Sequence, residues 1–269
     1  MRYIFFGTPE FAAIILEKLI SAGFAPAGIV CNPDRPAGRK KTITPPPTKF
    51  LAQKHGIPVL QPEELNGSFN TLEAEFAIVA AYAKIIPGNV LKMFPKGVIG
   101  VHPSLLPKYR GATPIQSAIL AGEEETGVTL YLMDEKVDHG KIISNAELRI
   151  SNNDTYTTLE KKLAELSVVL LVELLPKFSK GDVESASQNE SQATFTKKFT
   201  TEDARVDLEK DEPIIIERKI RALNPEPGVW TLQKIQGNLK RVKLLKAELS
   251  EGKLKLKTIQ IEGERPKDI

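Results

Sequence analysis

Short apolar runs alternate with helical patterns through the first two thirds of the chain, and this alternation constrains the fold most. Residues 2–7 and 98–101 are strand-like runs, and residues 76–81 have the near-continuous apolar character of a central strand covered on both faces. Helical patterns at residues 10–22 and 155–178 belong to the same series. The alternation predicts an α/β fold with a doubly wound, mostly parallel, Rossmann-like sheet, whose ligands bind beyond the carboxyl ends of the strands.

The remaining elements extend this pattern and then change it. Further strands are predicted at residues 28–31, 57–60, 126–133 and 141–149, and further helices at 45–56, 87–93 and 210–222. Polar residues dominate from residue 184, which predicts a larger domain over 1–183, a linker over 184–203 and a C-terminal domain over 204–269. Residues 228–261 alternate polar and aliphatic side chains at a period near two, which predicts a small antiparallel barrel or sheet.

Composition narrows the class of protein. A chain of 269 residues with 41% hydrophobic and 26% charged residues is typical of a globular protein with a large domain and a smaller one. The single cysteine, Cys31, cannot form an internal disulfide, so we expect a reducing, cytoplasmic environment. No apolar run approaches the roughly 20 residues of a membrane span, so we expect no membrane association. Nothing in the sequence demands an oligomer, and we expect a monomer.

A histidine directly follows one of the predicted buried strands. His102 stands at the end of the run 98–101, where an imidazole can stabilise developing negative charge or transfer protons near neutral pH. Asp138 lies in an acidic loop between two later predicted strands, and its carboxylate could sit beside His102 and fix the ring's tautomer and orientation. Each residue also has a simpler explanation: a satisfied histidine near a loop, and a solvated turn at Asp-His-Gly.

Several motifs around these residues resemble those of the folate-dependent formyltransferases. They are His-Pro-Ser-Leu-Leu-Pro-Lys-Tyr-Arg-Gly at 102–111, Glu-Thr-Gly-Val-Thr at 125–129 and Val-Asp-His-Gly at 137–140. The opening Ile-Phe-Phe-Gly-Thr-Pro-Glu-Phe at 4–11 and the segment 32–39 are similar to the branch of that family that acts on methionyl-tRNA. Asn-Pro-Glu-Pro-Gly at 224–228 resembles its second domain, so the resemblance covers nearly the whole chain.

The resemblance implies a reaction and assigns residues to it. The expected donor is 10-formyltetrahydrofolate, the expected acceptor is the amino group of initiator methionyl-tRNA, and no metal is expected. His102 and Asp138 fall on the family's catalytic histidine and aspartate. The family's folate-binding positions fall on Ser104, Leu105, Leu106, Pro107, Ala81, Tyr82, Ala83 and Val137.

One position departs from the family. Where the family carries a catalytic asparagine two residues before the histidine, this chain has Gly100. Losing one donor to a developing oxyanion typically costs about a hundredfold to a thousandfold in rate. The chain could use a backbone N–H or a water instead, be a slowed enzyme that Gly100→Asn would speed up, or be a noncatalytic binding protein. A glycine at a strand end also lets backbone approach a ligand closely. Because His102 and Asp138 remain, we expect an active or impaired enzyme.

A basic loop follows the second predicted strand. Proline and glycine predict a loop rather than a helix or strand, and it carries Arg35, Arg39, Lys40 and Lys41. Such side chains could reach phosphates and unpaired nucleotides of a tRNA. The alternative is an ordinary solvated loop. The C-terminal part has a second basic surface between residues 234 and 257, diluted by acidic residues.

Other functions compete with this interpretation. The chain could formylate an amino sugar nucleotide or another small amine, or release formate from the same folate. From a different class, it could be a noncatalytic tRNA- or folate-binding protein, as Gly100 suggests. The basic loop and the C-terminal domain favour tRNA as the acceptor.

Overall fold

The computed structural model of the chain describes residues 1–38, 41–65 and 73–269. It divides into two compact units. The first contains Met1–Gly111, Thr126–Leu148 and Glu160–Phe195, and the second contains Ala112–Glu125, Arg149–Leu159 and Thr196–Ile269. Each unit is therefore assembled from separate stretches of the chain, whereas the predicted domains were continuous.

The described residues form the following elements in chain order. They are β1 (Tyr3–Gly7), α1 (Glu10–Ser21), β2 (Gly28–Val30), β3 (Arg35–Ala37), β4 (Thr42–Thr44), α2 (Pro47–Lys54), β5 (Val59–Leu60), β6 (Phe76–Ala80), α3 (Gly88–Leu91), β7 (Val98–His102), β8 (Arg110–Gly111), α4 (Pro114–Ala121), β9 (Glu125–Leu132), β10 (Ile142–Arg149), α5 (Tyr156–Lys180), β11 (Phe195–Thr196), α6 (Pro213–Leu223), β12 (Trp230–Ile235), β13 (Asn238–Ser250), β14 (Lys253–Ile261) and β15 (Lys267–Asp268). A short 3₁₀ turn covers Glu190–Gln192.

A seven-stranded sheet organises the first unit, in the order β10-β9-β7-β6-β1-β2-β5. The central pairs β6–β7, β1–β6, β1–β2 and β2–β5 are parallel, and β9 runs antiparallel to β7. The predicted mostly parallel sheet is confirmed. Because β6 and β7 are parallel and Ala80 pairs with Val101, the segments that follow these strands leave the same edge of the sheet.

The central strands of this unit are apolar throughout because both of their faces are buried in the core. Every residue of β1 and β7 is buried. One cluster joins Ile4, Phe6, Ala77, Tyr82 and Val98. The rings of Phe6 and Tyr82 meet edge to face with centroids 5.5 Å apart, a favoured aromatic arrangement. Because the central strands are buried on both faces, their carboxyl ends are held in place, and the candidate site lies at these ends.

Two local elements differ from the sequence prediction. The segment carrying Arg35 and Lys41 was predicted to be a loop, and that prediction was wrong where β3 and β4 pair as an antiparallel hairpin. Pro36 sits within β3, which a two-stranded ribbon tolerates because its edges make no further ladder bonds. Helix α4 was not predicted; it begins at Pro114 and ends at Ala121, and its C-cap Gly122 has a left-handed φ of 73°.

The second unit contains the antiparallel sheet β12-β13-β14-β15. The prediction of antiparallel β-structure is confirmed, and its four strands pair in an open order. Trp230 is 7% exposed, and its indole Nε1 donates to the carbonyl oxygen of Thr201 at 2.8 Å. The guanidinium carbon of Arg241 lies 3.9 Å from the centre of the indole ring. Part of the predicted basic surface is thus engaged in packing on an aromatic ring.

Helix α5 has 25 residues and contains Pro176 near its end. Its apolar face buries Leu159, Leu163 and Leu171. Among the described residues, no helix is both long enough and apolar enough to cross a membrane.

Candidate active site

His102 is the last residue of β7 and is 5% exposed. Its Nε2 lies 2.9 Å from the carbonyl oxygen of Tyr109. A carbonyl oxygen only accepts hydrogen bonds, so Nε2 carries the proton and donates it. The backbone carbonyl of Tyr109 therefore fixes the tautomer. The sequence had predicted Asp138 for this role. Nδ1 is left as the nitrogen that faces the aspartate.

Asp138 lies beside His102, as predicted, with its Oδ2 3.6 Å from the histidine's Nδ1. That distance is too long for a hydrogen bond, and the contact becomes an ion pair only when Nδ1 also carries a proton. The carboxylate accepts its hydrogen bonds from other groups: the Gly111 N–H at 2.7 Å on Oδ2 and the Tyr131 hydroxyl at 2.6 Å on Oδ1. The backbone of Asp138 has a left-handed φ of 47°, a conformation that aspartate tolerates better than most residues.

The loop that carries Asp138 folds back onto the strand before it, and Gly140 makes this possible. A Cβ atom at Gly140 would lie 1.6 Å from the carbonyl oxygen of Leu132. The Leu132 N–H also donates to the carbonyl oxygen of Lys141 at 2.8 Å. Only glycine permits this close approach of backbone to backbone, which brings Asp138 back towards His102.

Gly100 also allows a close approach, but the group that approaches it is the side chain of Tyr131 and not a ligand. It pairs across the sheet with Tyr131 of β9. A Cβ atom at this position would lie 2.3 Å from Cε1 and 2.4 Å from Cζ of the tyrosine ring. The space that the family's asparagine side chain would need is therefore filled by the ring of Tyr131. Asparagine cannot be introduced at position 100 unless that ring moves.

A buried arginine connects the active-site loop to a segment that the sequence indicated was a linker. Arg110 is 2% exposed, and its Nη2 and Nη1 donate to the two carboxylate oxygens of Glu190 at 2.6 and 3.0 Å. These hydrogen bonds hold the pKa of the Glu190 carboxyl below its ordinary value. Gln188 accepts from Arg110 at 2.7 Å through Oε1 and donates through Nε2 to the Asp138 carbonyl oxygen at 2.9 Å. The sequence pattern missed both Gln188 and Glu190.

The predicted folate loop has a backbone held from within the unit. Thr129 donates through Oγ1 to the Ser104 carbonyl oxygen at 2.7 Å and accepts from the Leu106 N–H at 3.1 Å. Ser104 and Leu106 are buried, while Leu105 and Pro107 are half-buried. The loop thus presents a fixed shape at the sheet edge where His102 lies.

The second predicted folate segment divides into exposed and buried parts. Ala81 and Ala83 are exposed and have left-handed φ values of 47° and 63°. Val137 is 55% exposed, next to Asp138 in the chain. The Tyr82 side chain is only 2% exposed and packs against Phe6, so it belongs to the core. The exposed small and apolar side chains suit contact with a flat ring, and Tyr82 contributes through its backbone at most.

The basic hairpin is described in part. Arg35 and Lys41 are exposed, Arg35 on β3 and Lys41 directly before β4. Arg39 and Lys40 lie outside the described residues. The observed cations therefore remain accessible to a polyanion.

The one acidic residue in this region is already paired. Lys49 Nζ lies 2.8 Å from Asp34 Oδ2, and Gln61 Nε2 donates to Asp34 Oδ1 at 2.8 Å. The bonds from Lys49 and then from Gln61 lower the pKa of the Asp34 carboxyl below its ordinary value. Lys49 is thus committed to Asp34, so it adds less to the cationic surface than its sequence position suggests.

The second unit contains a pocket of about 1070 Å³, lined in part by Arg218, Arg221 and Lys246. It contains neither His102 nor Asp138. Pocket size therefore does not identify the candidate site, which is defined by its side-chain chemistry.

The fold is a mostly parallel sheet, and the candidate site beyond one strand end contains a buried histidine and a neighbouring aspartate. These two features can be compared with known families. Two family models match the sequence, the formyl transferase model over residues 1–175 and the formyl transferase C-terminal domain model over residues 198–267. The chain belongs to the formyl transferase family, as its motifs predicted.

Individual relatives narrow the comparison. Methionyl-tRNA formyltransferase from Chloroflexus aggregans is 44% identical over 236 residues, which cover 86% of this chain and 76% of the relative. HypX from Aquifex aeolicus in complex with tetrahydrofolic acid matches with a TM-score of 0.68 at 18% identity, over 100% of this chain and 46% of that one. The N-formyltransferase from Helicobacter canadensis, solved with folinic acid and dTDP-3-aminofucose, matches with a TM-score of 0.65 at 21% identity, over 93% and 88%. The two solved structures share the fold, and the first relative shares much of the sequence.

Proposed function

We propose that this chain transfers the formyl group of 10-formyltetrahydrofolate to the amino group of initiator methionyl-tRNA. The observation that carries the proposal is the pair of His102 and Asp138 at the carboxyl end of β7, with 3.6 Å between Nδ1 and Oδ2. This pair lies in a chain that is 44% identical to a methionyl-tRNA formyltransferase. Sequence identity supports the acceptor, and the geometry supports the chemistry.

The residues of the pair have complementary tasks. The folate supplies an activated formyl carbon, and transfer requires the acceptor amine to lose a proton. His102 Nε2 is occupied by the Tyr109 carbonyl, so proton exchange at this ring goes through Nδ1. The Asp138 carboxylate faces that nitrogen and stabilises the imidazolium formed when it takes up a proton. The His102–Asp138 pair therefore takes the proton from the amine as the new bond to the formyl carbon forms, and donates it to N10 of the folate as the bond between the formyl carbon and N10 breaks.

In this proposal the formyl donor binds at the same edge of the sheet. The fixed loop from Ser104 to Pro107 and the exposed side chains of Ala81, Ala83 and Val137 offer small apolar surfaces and backbone groups to its ring. The family membership supports a folate-derived donor. The specific donor, 10-formyltetrahydrofolate, is part of the proposal.

In this proposal the acceptor tRNA is bound through positively charged side chains. Arg35 and Lys41 are exposed on the hairpin of β3 and β4, and we include Arg39 and Lys40 on the strength of the sequence alone. Arginine and lysine side chains on a hairpin can bind the phosphates of an acceptor arm. A small amine would not need these contacts.

The test is transfer of labelled formyl from 10-formyltetrahydrofolate to charged initiator tRNA, with an amino sugar nucleotide as the control acceptor. We expect transfer to the tRNA, and His102→Ala should abolish turnover while sparing most tRNA affinity. His55→Ala is the matched control, because His55 is exposed at the end of α2. Transfer to the sugar alone, or formate release without an acceptor, would contradict the proposal. Near-normal turnover by His102→Ala would remove His102 from the mechanism.

A further inference from the structure

Tyr131 lies opposite Gly100 on the antiparallel strand β9. Both residues are buried, and the tyrosine is only 3% exposed. Two ring carbons would lie 2.3 and 2.4 Å, and the hydroxyl oxygen 2.8 Å, from a Cβ at residue 100, so the phenol covers the area that the glycine leaves bare. Aromatic side chains pack over a glycine on a neighbouring strand in this way.

The hydroxyl of this tyrosine reaches the active site. It donates to Asp138 Oδ1 at 2.6 Å, while the Gly111 N–H donates to Oδ2 at 2.7 Å. Burial first, and then the neighbouring Asp138 carboxylate, raise the pKa of Tyr131 well above its ordinary value, so the phenol remains a donor. With a short bond on each oxygen, the carboxylate cannot rotate without losing one of them. Oδ2 is also the oxygen nearest to His102.

We propose that Tyr131 is a positioning residue, whose hydroxyl holds the Asp138 carboxylate beside His102 in the space that Gly100 leaves open. The inference rests on the proposed function, since it assigns Tyr131 to the reaction in which His102 and Asp138 act. A residue without a hydroxyl could fill the same space, so packing alone does not account for the bond to Asp138. The position of the Tyr131 hydroxyl therefore depends on the absence of a side chain at Gly100.

The first test is Tyr131→Phe, which removes the hydroxyl and keeps the ring. A hydrogen bond to a charged group is worth enough that kcat should fall about tenfold to a hundredfold. The KM values for 10-formyltetrahydrofolate and for the tRNA should stay unchanged, because Tyr131 acts through Asp138. Tyr3→Phe is the matched control: Tyr3 is a buried tyrosine of the same sheet whose hydroxyl donates to the Phe24 carbonyl oxygen, and kcat should not change. An unchanged kcat in Tyr131→Phe would overturn the inference, as would a rise in KM alone.

The second test is a double-mutant cycle with Asp138→Ala, read in single-turnover rates and in thermal unfolding. If Tyr131 acts through Asp138, Tyr131→Phe should slow the Asp138→Ala enzyme no further, and the losses in Tm should not add. Additive losses in both measurements would overturn the inference. If the wild-type protein transferred no formyl group to tRNA, the proposed function would fail. The unfolding cycle would still decide whether Tyr131 holds Asp138.

Discussion

Replacing Gly100 with alanine places one methyl group against the ring of Tyr131. The added Cβ would lie 2.3 Å from Cε1, 2.4 Å from Cζ and 2.8 Å from the hydroxyl oxygen. Carbon atoms in proteins pack at about 3.5–4.0 Å, so the ring must retreat by about 1 Å or more. The ring is buried and its hydroxyl is bonded to Asp138, so the movement disturbs both the packing and the carboxylate.

The expected loss of folding stability can be worked out from this crowding. Extra methyl groups in a packed core typically cost about 1–3 kcal/mol. For a chain of this size, each kcal/mol lowers Tm by about 2–4 °C, so we expect a fall of about 2–12 °C. The kcat should fall at least as far as in Tyr131→Phe, because the displaced hydroxyl leaves Asp138. Gly100→Asn should also lose activity, because its larger side chain meets the same ring. A gain would instead support the slowed-enzyme interpretation, one of the three that the sequence left open.

Thermal unfolding followed by circular dichroism, together with the formyl-transfer rate, measures both effects. The control is the same substitution in a Tyr131→Ala background, where the ring is absent and Gly100→Ala should cost no further Tm. An equal fall in Tm in both backgrounds would refute the steric explanation. Unchanged Tm and kcat in the single variant would refute it as well.

Three further predictions concern the basic hairpin, the loop that carries Asp138 and Gly140, and the pH dependence of stability. Arg35→Ala with Lys41→Ala should weaken tRNA binding and reduce the slope of log affinity against log salt by about 1–2, measured by titration at several salt concentrations. Gly140→Ala should remove nearly all transfer activity and lower Tm, because its Cβ would lie 1.6 Å from a backbone oxygen. The lowered pKa of Asp34 beside Lys49 means that its carboxylate stabilises the fold above the ordinary pKa. This contribution should disappear as the pH falls below about 4, so the Tm difference from Asp34→Asn should shrink there.

Each of these predictions has an outcome that contradicts it. An unchanged salt slope would exclude the hairpin from the proposed tRNA-binding surface. Lys161→Ala on the exposed side of α5 is the control for charge alone. Normal turnover in Gly140→Ala would show that the loop need not fold back as described. A Tm difference from Asp34→Asn that stays constant, or grows, as the pH falls would contradict the role of the ion pair with Lys49.

Local sequence determined much of the framework. The apolar runs that became β1, β6 and β7 are buried on both faces, so hydrophobic pattern alone marks them as central strands. The motifs around His102 and Asp138 identified the two residues that the structure brings to 3.6 Å. Both results depend on neighbouring residues in the chain, and such information can be read from a single sequence.

Tertiary structure alone decided what surrounds that pair. Gly100 faces Tyr131 because β9 pairs antiparallel with β7 in one register, and the local pattern of neither strand specifies that register. The polar segment around Gln188 and Glu190 has a linker's composition, yet it binds the buried Arg110. A polar side chain has the same sequence signature whether it faces water or a buried guanidinium. The sequence therefore determined the fold class and the proposed catalytic pair, and long-range packing determined how that pair is held.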